Sequence, residues 1–296
     1  MTRLTTNVYV QLQGEPLYVA CEQQHRNARV RHRFLHIINP YFAAPGSEDD
    51  KVQQLTYHTM GMALSLAPAG TVKPVAVTFP EEAVSIPPSF PILKSLQRSV
   101  LDLGSFQLPR RFPLLFDIMA GGLAAADGQD YVIFTNVDIC LMPHFYGSVQ
   151  RILNLGFESL IVNRRTIPKY GLDSQLLPLM LADYGTSHPG FDCFVFPLRL
   201  FDSFVRSDVC VGAPEVMRAL VFNLVALTES LLILRDAHLT FHLGNDKPWS
   251  VPERMDYRDH NYQCSQEVLV AHGRDPRRRE LLQNFCTAHN EMYTVP

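Results

Sequence analysis

The sequence predicts an α/β fold with a mainly parallel central sheet flanked by helices. Strand-like and helix-like segments alternate through the first 165 residues. Tyr131-Val132-Ile133-Phe134 is a continuous apolar run of the kind that a strand covered on both faces requires. Of the 296 residues 47% are apolar, with 18 Phe and 11 Tyr, enough to bury a sizeable core.

Residues 1–32 read as an N-terminal extension whose alternating segment Val8 to Leu12 offers one added strand. Phe34 to Ile38 is the first clear strand, stopped by Asn39-Pro40, and Lys51 to Leu66 is helical up to Ala67-Pro68-Ala69-Gly70. Val72 to Phe79 is the next strand. The prolines between Pro80 and Pro91 remove backbone donors and predict irregular chain. A helix from Arg111 to Ala126 leads through Gly128-Gln129-Asp130 into the strand that ends at Asn136-Val137-Asp138. Helix Phe145 to Leu155 and strand Ser159 to Asn163 complete the alternation. Beyond them, short strands at Cys193 to Phe196 and Leu231 to Leu234 flank a helix from Glu215 to Leu227. The expected organisation is one globule: a first half over 33–165, a second half over 166–250, and a tail over 251–296 able to fold over a cleft between them as a lid.

Charge and cysteine usage exclude several classes. With 26 Lys+Arg against 29 Asp+Glu, the formal charge of -3 gives no global attraction for nucleic acid or an anionic membrane. The basic runs at 26–33 and 274–279 are interrupted and read as solvated surface. The six cysteines are dispersed, without the spacing of a zinc ribbon or a disulfide framework, which points to a reduced, cytoplasmic setting. The first residues are too polar for a secretory signal, and no run of about 18 apolar residues is present to span a bilayer.

In an open α/β sheet, ligands bind where the strands end, because loops and helix N-termini converge there. Asn136 and Asp138 occupy such an end, and at i and i+2 in an extended segment they face one way. Their oxygens are hard donors suited to Mg²⁺ or Mn²⁺; the competing reading is a turn that caps the following helix. A second cluster, His188-Pro189-Gly190-Phe191-Asp192, brings a carboxylate into a buried strand, with Gly190 allowing close approach to a ligand. Glu215 stands in the expected first helical turn, where it serves either catalysis or capping. His242 is a metal or phosphate contact or else a hydrogen-bonded core residue. Arg164, Arg165 and Lys247 supply cations suited to a diphosphate.

Phe134-Thr135-Asn136-Val137-Asp138-Ile139 resembles the DXD-type motif of GT-A glycosyltransferases, with Asn136 in its first acidic position and Asp138 in its last. The later order is similar too: a glycine-containing loop with an acid (Gly190 to Asp192), an acid near a helix start (Glu215) and a C-terminal histidine (His242). The resemblance covers roughly residues 33–250 and implies that 33–165 is the nucleotide-sugar-binding half and 166–250 the acceptor and catalytic half. It implies a GT-A-like fold and a nucleotide-sugar donor whose diphosphate rests on Mn²⁺ or Mg²⁺ held by Asp138 and His242. It further implies Asp192 as the catalytic base or else a sugar or acceptor contact, Glu215 as the other candidate base, Asn136, Asp138, Arg164, Arg165, His188, Gly190 and Lys247 as substrate contacts, and a glycan, protein or small molecule as acceptor. A nucleotidyltransferase is the rival within this architecture, and its Gly-rich signature with a nearby Lys is absent after Phe34 to Pro40. A non-catalytic binding module is the rival outside enzymology, favoured by the Asn at position 136.

Overall fold

The computed structural model describes residues 10–11, 30–87, 90–93, 95–245, 252–289, 293 and 295. Its strands are β1 (Val10–Gln11), β2 (Phe34–Ile38), β3 (Val72–Val77), β4 (Ile92–Leu93), β5 (Tyr131–Thr135), β6 (Cys140–Leu141), β7 (Ser159–Val162), β8 (Arg165–Ile167), β9 (Thr186–Ser187), β10 (Cys193–Pro197), β11 (Leu231–Leu234) and β12 (Thr240–Leu243). The helices are α1 (Glu48–Leu66), α2 (Leu115–Leu123), α3 (Phe145–Asn154), α4 (Leu177–Ala182), α5 (Arg218–Leu227), α6 (Met255–Gly273) and α7 (Pro276–Ala288).

The main sheet has the order β1-β11-β7-β10-β5-β2-β3-β4. All its pairings are parallel except those of β10, which is antiparallel to both β5 and β7. Alternation along β2 explains why its apolar run is unbroken: Leu35 and Ile37 face one side with α2, α5, α6 and α7, whereas Phe34 and Ile38 face α1 and α3. A smaller sheet, β6-β12-β8-β9, packs over α4 through Phe241, Ile167, Leu177 and Met180.

Helix starts differ from the sequence reading for identifiable reasons. α1 begins at Glu48 because the Ser47 hydroxyl accepts from the Asp50 amide at 3.2 Å and acids fill the first turn. α2 begins four residues later than expected, since Pro113 and Leu114 are held in β-bridges to Ser99 and Cys210. Asn136 to Asp138 is a turn, closed by the Ile139 amide donating to the Asn136 carbonyl at 3.2 Å, so the extended i and i+2 argument does not apply. Residues 255–288, expected within a tail, form α6 and α7, which pack on α5. Tyr257, in the stretch read as a lid, is fully buried, and its hydroxyl donates to the Leu108 carbonyl at 2.9 Å.

Candidate functional site

Strand register assembles the candidate site. Ile38 pairs with Thr135, Thr135 with Cys193, Cys193 with Val162, and Val162 with Leu234. The residues one step beyond, Asn39, Asn136, Asp192, Asn163 and Arg235, therefore stand in a row across the carboxyl end of the parallel strands. The paired strands they flank lie about 4.8 Å apart. Because β10 is antiparallel, its beginning, and hence Asp192, meets the ends of its neighbours.

Several polar atoms in this region are buried without a partner: Asn136 Oδ1, Asp138 Oδ1, Asn163 Oδ1, Arg164 Nε and Asp192 Oδ2. Each would cost roughly 1–3 kcal/mol if left unsatisfied, so their convergence marks a place built for a polar ligand or ordered water. Arg164 Nη1 donates to Asp192 Oδ1 at 2.7 Å, with the side chains only 15% and 7% exposed. His188 closes the cluster: its Nε2 lies 3.3 Å from Arg164 Nη2, its Nδ1 lies 3.6 Å from Asp192 Oδ2, and its carbonyl accepts from Asn163 Nδ2 at 3.1 Å.

Asp138 Oδ2 lies 3.3 Å from His242 Nε2. His242 Nδ1 donates to the Gly244 carbonyl at 2.8 Å, which orients the ring with Nε2 toward Asp138. Gly244 makes that contact from φ 78°, in the left-handed region. Burial pushes the Asp138 pKa up, but the hydrogen bond and charge of His242 and the charge of Arg164 outweigh it and hold the carboxyl below its ordinary range. Two donors on one octahedral ion at about 2.1 Å stand about 3 Å apart. The Asp138–His242 pair fits that spacing. Among the described residues, no group of three or more His, Cys, Asp or Glu is arranged to hold a metal. Such a cation would have to complete its shell with water and ligand oxygens, as Mg²⁺ and Mn²⁺ do.

The other expected contacts divide. Arg165 is engaged by the protein: Nε and Nη2 donate to the Tyr184 and Gly185 carbonyls at 2.7 Å, Nη1 pairs with Asp236, and the guanidinium covers the Tyr184 ring. It fixes the loop before β9 rather than facing the cluster. Gly190 also makes room within the protein: a Cβ there would meet His188 Cε1 at 2.7 Å, so the missing side chain leaves space for the imidazole. Glu215 precedes α5 and does not cap it. Its Oε2 accepts from the Tyr293 hydroxyl at 3.1 Å, 3.6 Å from Arg218 Nε. Lys247 lies outside the described residues.

Sequence reasoning missed Asn163 and Tyr41. The signal for Asn163 was present, since Ile38-Asn39, Thr135-Asn136 and Val162-Asn163 all place an asparagine just after a buried strand. Tyr41 follows β2 and keeps 40% of its surface exposed. Burial, then the charges of Asp49 and Asp138, raise its phenol pKa.

No protein-family model matches the chain, and no curated protein matches it. Solved structures do resemble it. A crystal structure of Staphylococcus aureus TarS, residues 1–349, superposes with a TM-score of 0.50 at 10% identity over 88% of this chain and 72% of that one. A Desulfovibrio desulfuricans protein described as a nucleotide-diphospho-sugar transferase gives 0.37 at 14% identity over 80% and 98%, too low to carry an argument. The fold is therefore α/β and GT-A-like, as the sequence leads one to expect. At 10% identity the TarS likeness concerns the fold alone. Among the described residues, no helix is long and apolar enough to cross a membrane.

Proposed function

We propose that the chain is a metal-dependent glycosyltransferase that moves a sugar from a nucleoside-diphosphate donor to an acceptor hydroxyl. The observation that carries this reading is the convergence of unpartnered buried polar atoms on Asn136, Asp138, Asn163, Arg164 and Asp192 at the ligand end of a GT-A-like sheet. Asp138 and His242 would hold Mn²⁺ or Mg²⁺. The cation, when bound, offsets charge on the departing nucleoside diphosphate.

The chain's own residues account for the remaining chemistry. Arg164 Nε, with its proton aimed at no protein group, donates to the donor's phosphate or sugar oxygens, while Nη1 stays on Asp192. The amides of Asn136 and Asn163 orient the donor, and Tyr41 offers a half-exposed ring beside it. As the acceptor oxygen bonds to the anomeric carbon and the bond to the diphosphate breaks, the acceptor proton passes to a carboxylate. Asp192 is favoured for that role because it stands at the strand ends beside Asn136 and Asn163 and its Oδ2 has no hydrogen-bond donor, whereas Glu215 is engaged by Tyr293 and Arg218.

Isothermal titration with UDP, GDP and a panel of their sugars, with and without Mn²⁺, tests the reading. Metal-dependent binding is expected, weakened at least tenfold by Asp138→Ala with the fold intact. Absence of nucleotide binding would point to a module that keeps the scaffold without the chemistry.

A further inference from the structure

Glu215 is the acid for which the proposed chemistry has least use, yet its surroundings are built with care. It is a non-glycine residue at φ 66°, a conformation that costs an L residue roughly 1–2 kcal/mol. Strain of this kind persists only where neighbours over-determine it, and it gathers at working sites. Here the neighbours are explicit. The buried Asn261 ties the preceding loop to α6, accepting from the Cys210 amide at 2.7 Å and donating to the Cys210 and Pro214 carbonyls at 3.0 and 2.9 Å. Ser265 Oγ and the Arg218 amide donate to the Glu215 carbonyl at 3.3 and 3.2 Å.

The carboxylate is held separately, by the Tyr293 hydroxyl at 3.1 Å. Tyr293 is 5% exposed, stacked on Tyr262 with ring centroids 4.7 Å apart and edge-on to Phe222 at 5.0 Å. Burial and the Glu215 charge raise its phenol pKa, so it remains a donor well into the alkaline range. The same carboxylate faces Arg218, whose guanidinium lies 4.9 Å over the Phe191 ring. Phe191 is buried and directly precedes Asp192.

We propose that Tyr293 is a positioning residue: its hydroxyl fixes Glu215, and through Arg218 and Phe191 that fixation reaches the loop presenting Asp192. The inference rests on the transferase reading for its meaning, but its test requires no donor.

Hydrogen exchange of the full chain, read at the Gly190 and Phe191 amides, decides it. Tyr293→Phe keeps the ring and removes only the hydroxyl, so a pure packing role leaves exchange at the wild-type rate. The proposal expects Tyr293→Phe and Glu215→Ala each to speed exchange about tenfold, the weight of one hydrogen bond to a charged group. The double variant should be no faster than either single, because the two substitutions break one contact. Wild-type exchange in Tyr293→Phe, effects that multiply in the double variant, or an equal acceleration in α1 would each overturn it. Titration of Tyr293→Phe with UDP and Mn²⁺ reports the transferase reading separately.

Discussion

Two carboxylates at the ligand end of the sheet differ in what holds them, and their substitutions should differ accordingly. Asp138 keeps 40% of its side chain in solvent and has one oxygen toward His242, so its loss should cost folding little while removing the metal contact proposed for it. Asp192 neutralises Arg164 where both side chains are nearly dry. Asp192→Ala would strand a buried guanidinium, and breaking such a pair typically costs about 3–5 kcal/mol. Asp192→Asn retains an acceptor for Arg164 and should cost clearly less. Urea unfolding of the two variants checks the order; an Asp192→Ala midpoint equal to wild type would mean that the pair is solvated. At this scale the sequence identifies residue types better than their partners. Arg164 and Arg165 are adjacent and chemically identical, yet one joins the cluster and the other clamps the loop before β9.

At the scale of single elements, β2 carries a polar residue where its pattern is otherwise apolar. His36 is fully buried, with Nδ1 2.8 Å from the Tyr146 hydroxyl and Nε2 3.0 Å from Thr135 Oγ1. Burial pushes its pKa down to about 3. The unfolded chain binds that proton near pH 6.5, so the folded state has its full stability above that pH. The stability is then lost progressively as pH falls from 6.5 toward 3, by on the order of 3 kcal/mol at pH 4. Urea midpoints measured between pH 7 and pH 4 should fall less steeply in His36→Gln than in wild type; equal slopes would show that His36 is not the titrating group. His272, lowered to about 4 by burial and by the charge of Arg278 on α7, adds to the remaining slope. Strand cores are legible from sequence because two-sided burial leaves unbroken apolar runs, as in Tyr131 to Phe134 and Leu231 to Leu234. Element ends are less so. The start of α1 depends on the Ser47 cap, and the turn at Asn136 depends on the Ile139 amide bonding back to the Asn136 carbonyl between β5 and β6.

At the scale of the whole molecule, the site exists because of sheet order, which periodicity does not encode. Asp192 reaches Asn136 and Asn163 only because β10 inserts antiparallel between β5 and β7, although those residues lie far apart along the chain. The pairing of Asp138 with His242 likewise needs β12 to join β6 and β8 in the small sheet. The residue types for both groupings can be read in the sequence; the contacts within them cannot. The central claim is that Asp138 and His242 share a cation that meets a nucleoside diphosphate. Crystals soaked with Mn²⁺ and UDP, measured at the manganese absorption edge, test it most directly. The account predicts an anomalous peak between Asp138 Oδ and His242 Nε2 in contact with phosphate oxygens. A peak elsewhere, or diphosphate density remote from Asn136, Arg164 and Asp192, would contradict it.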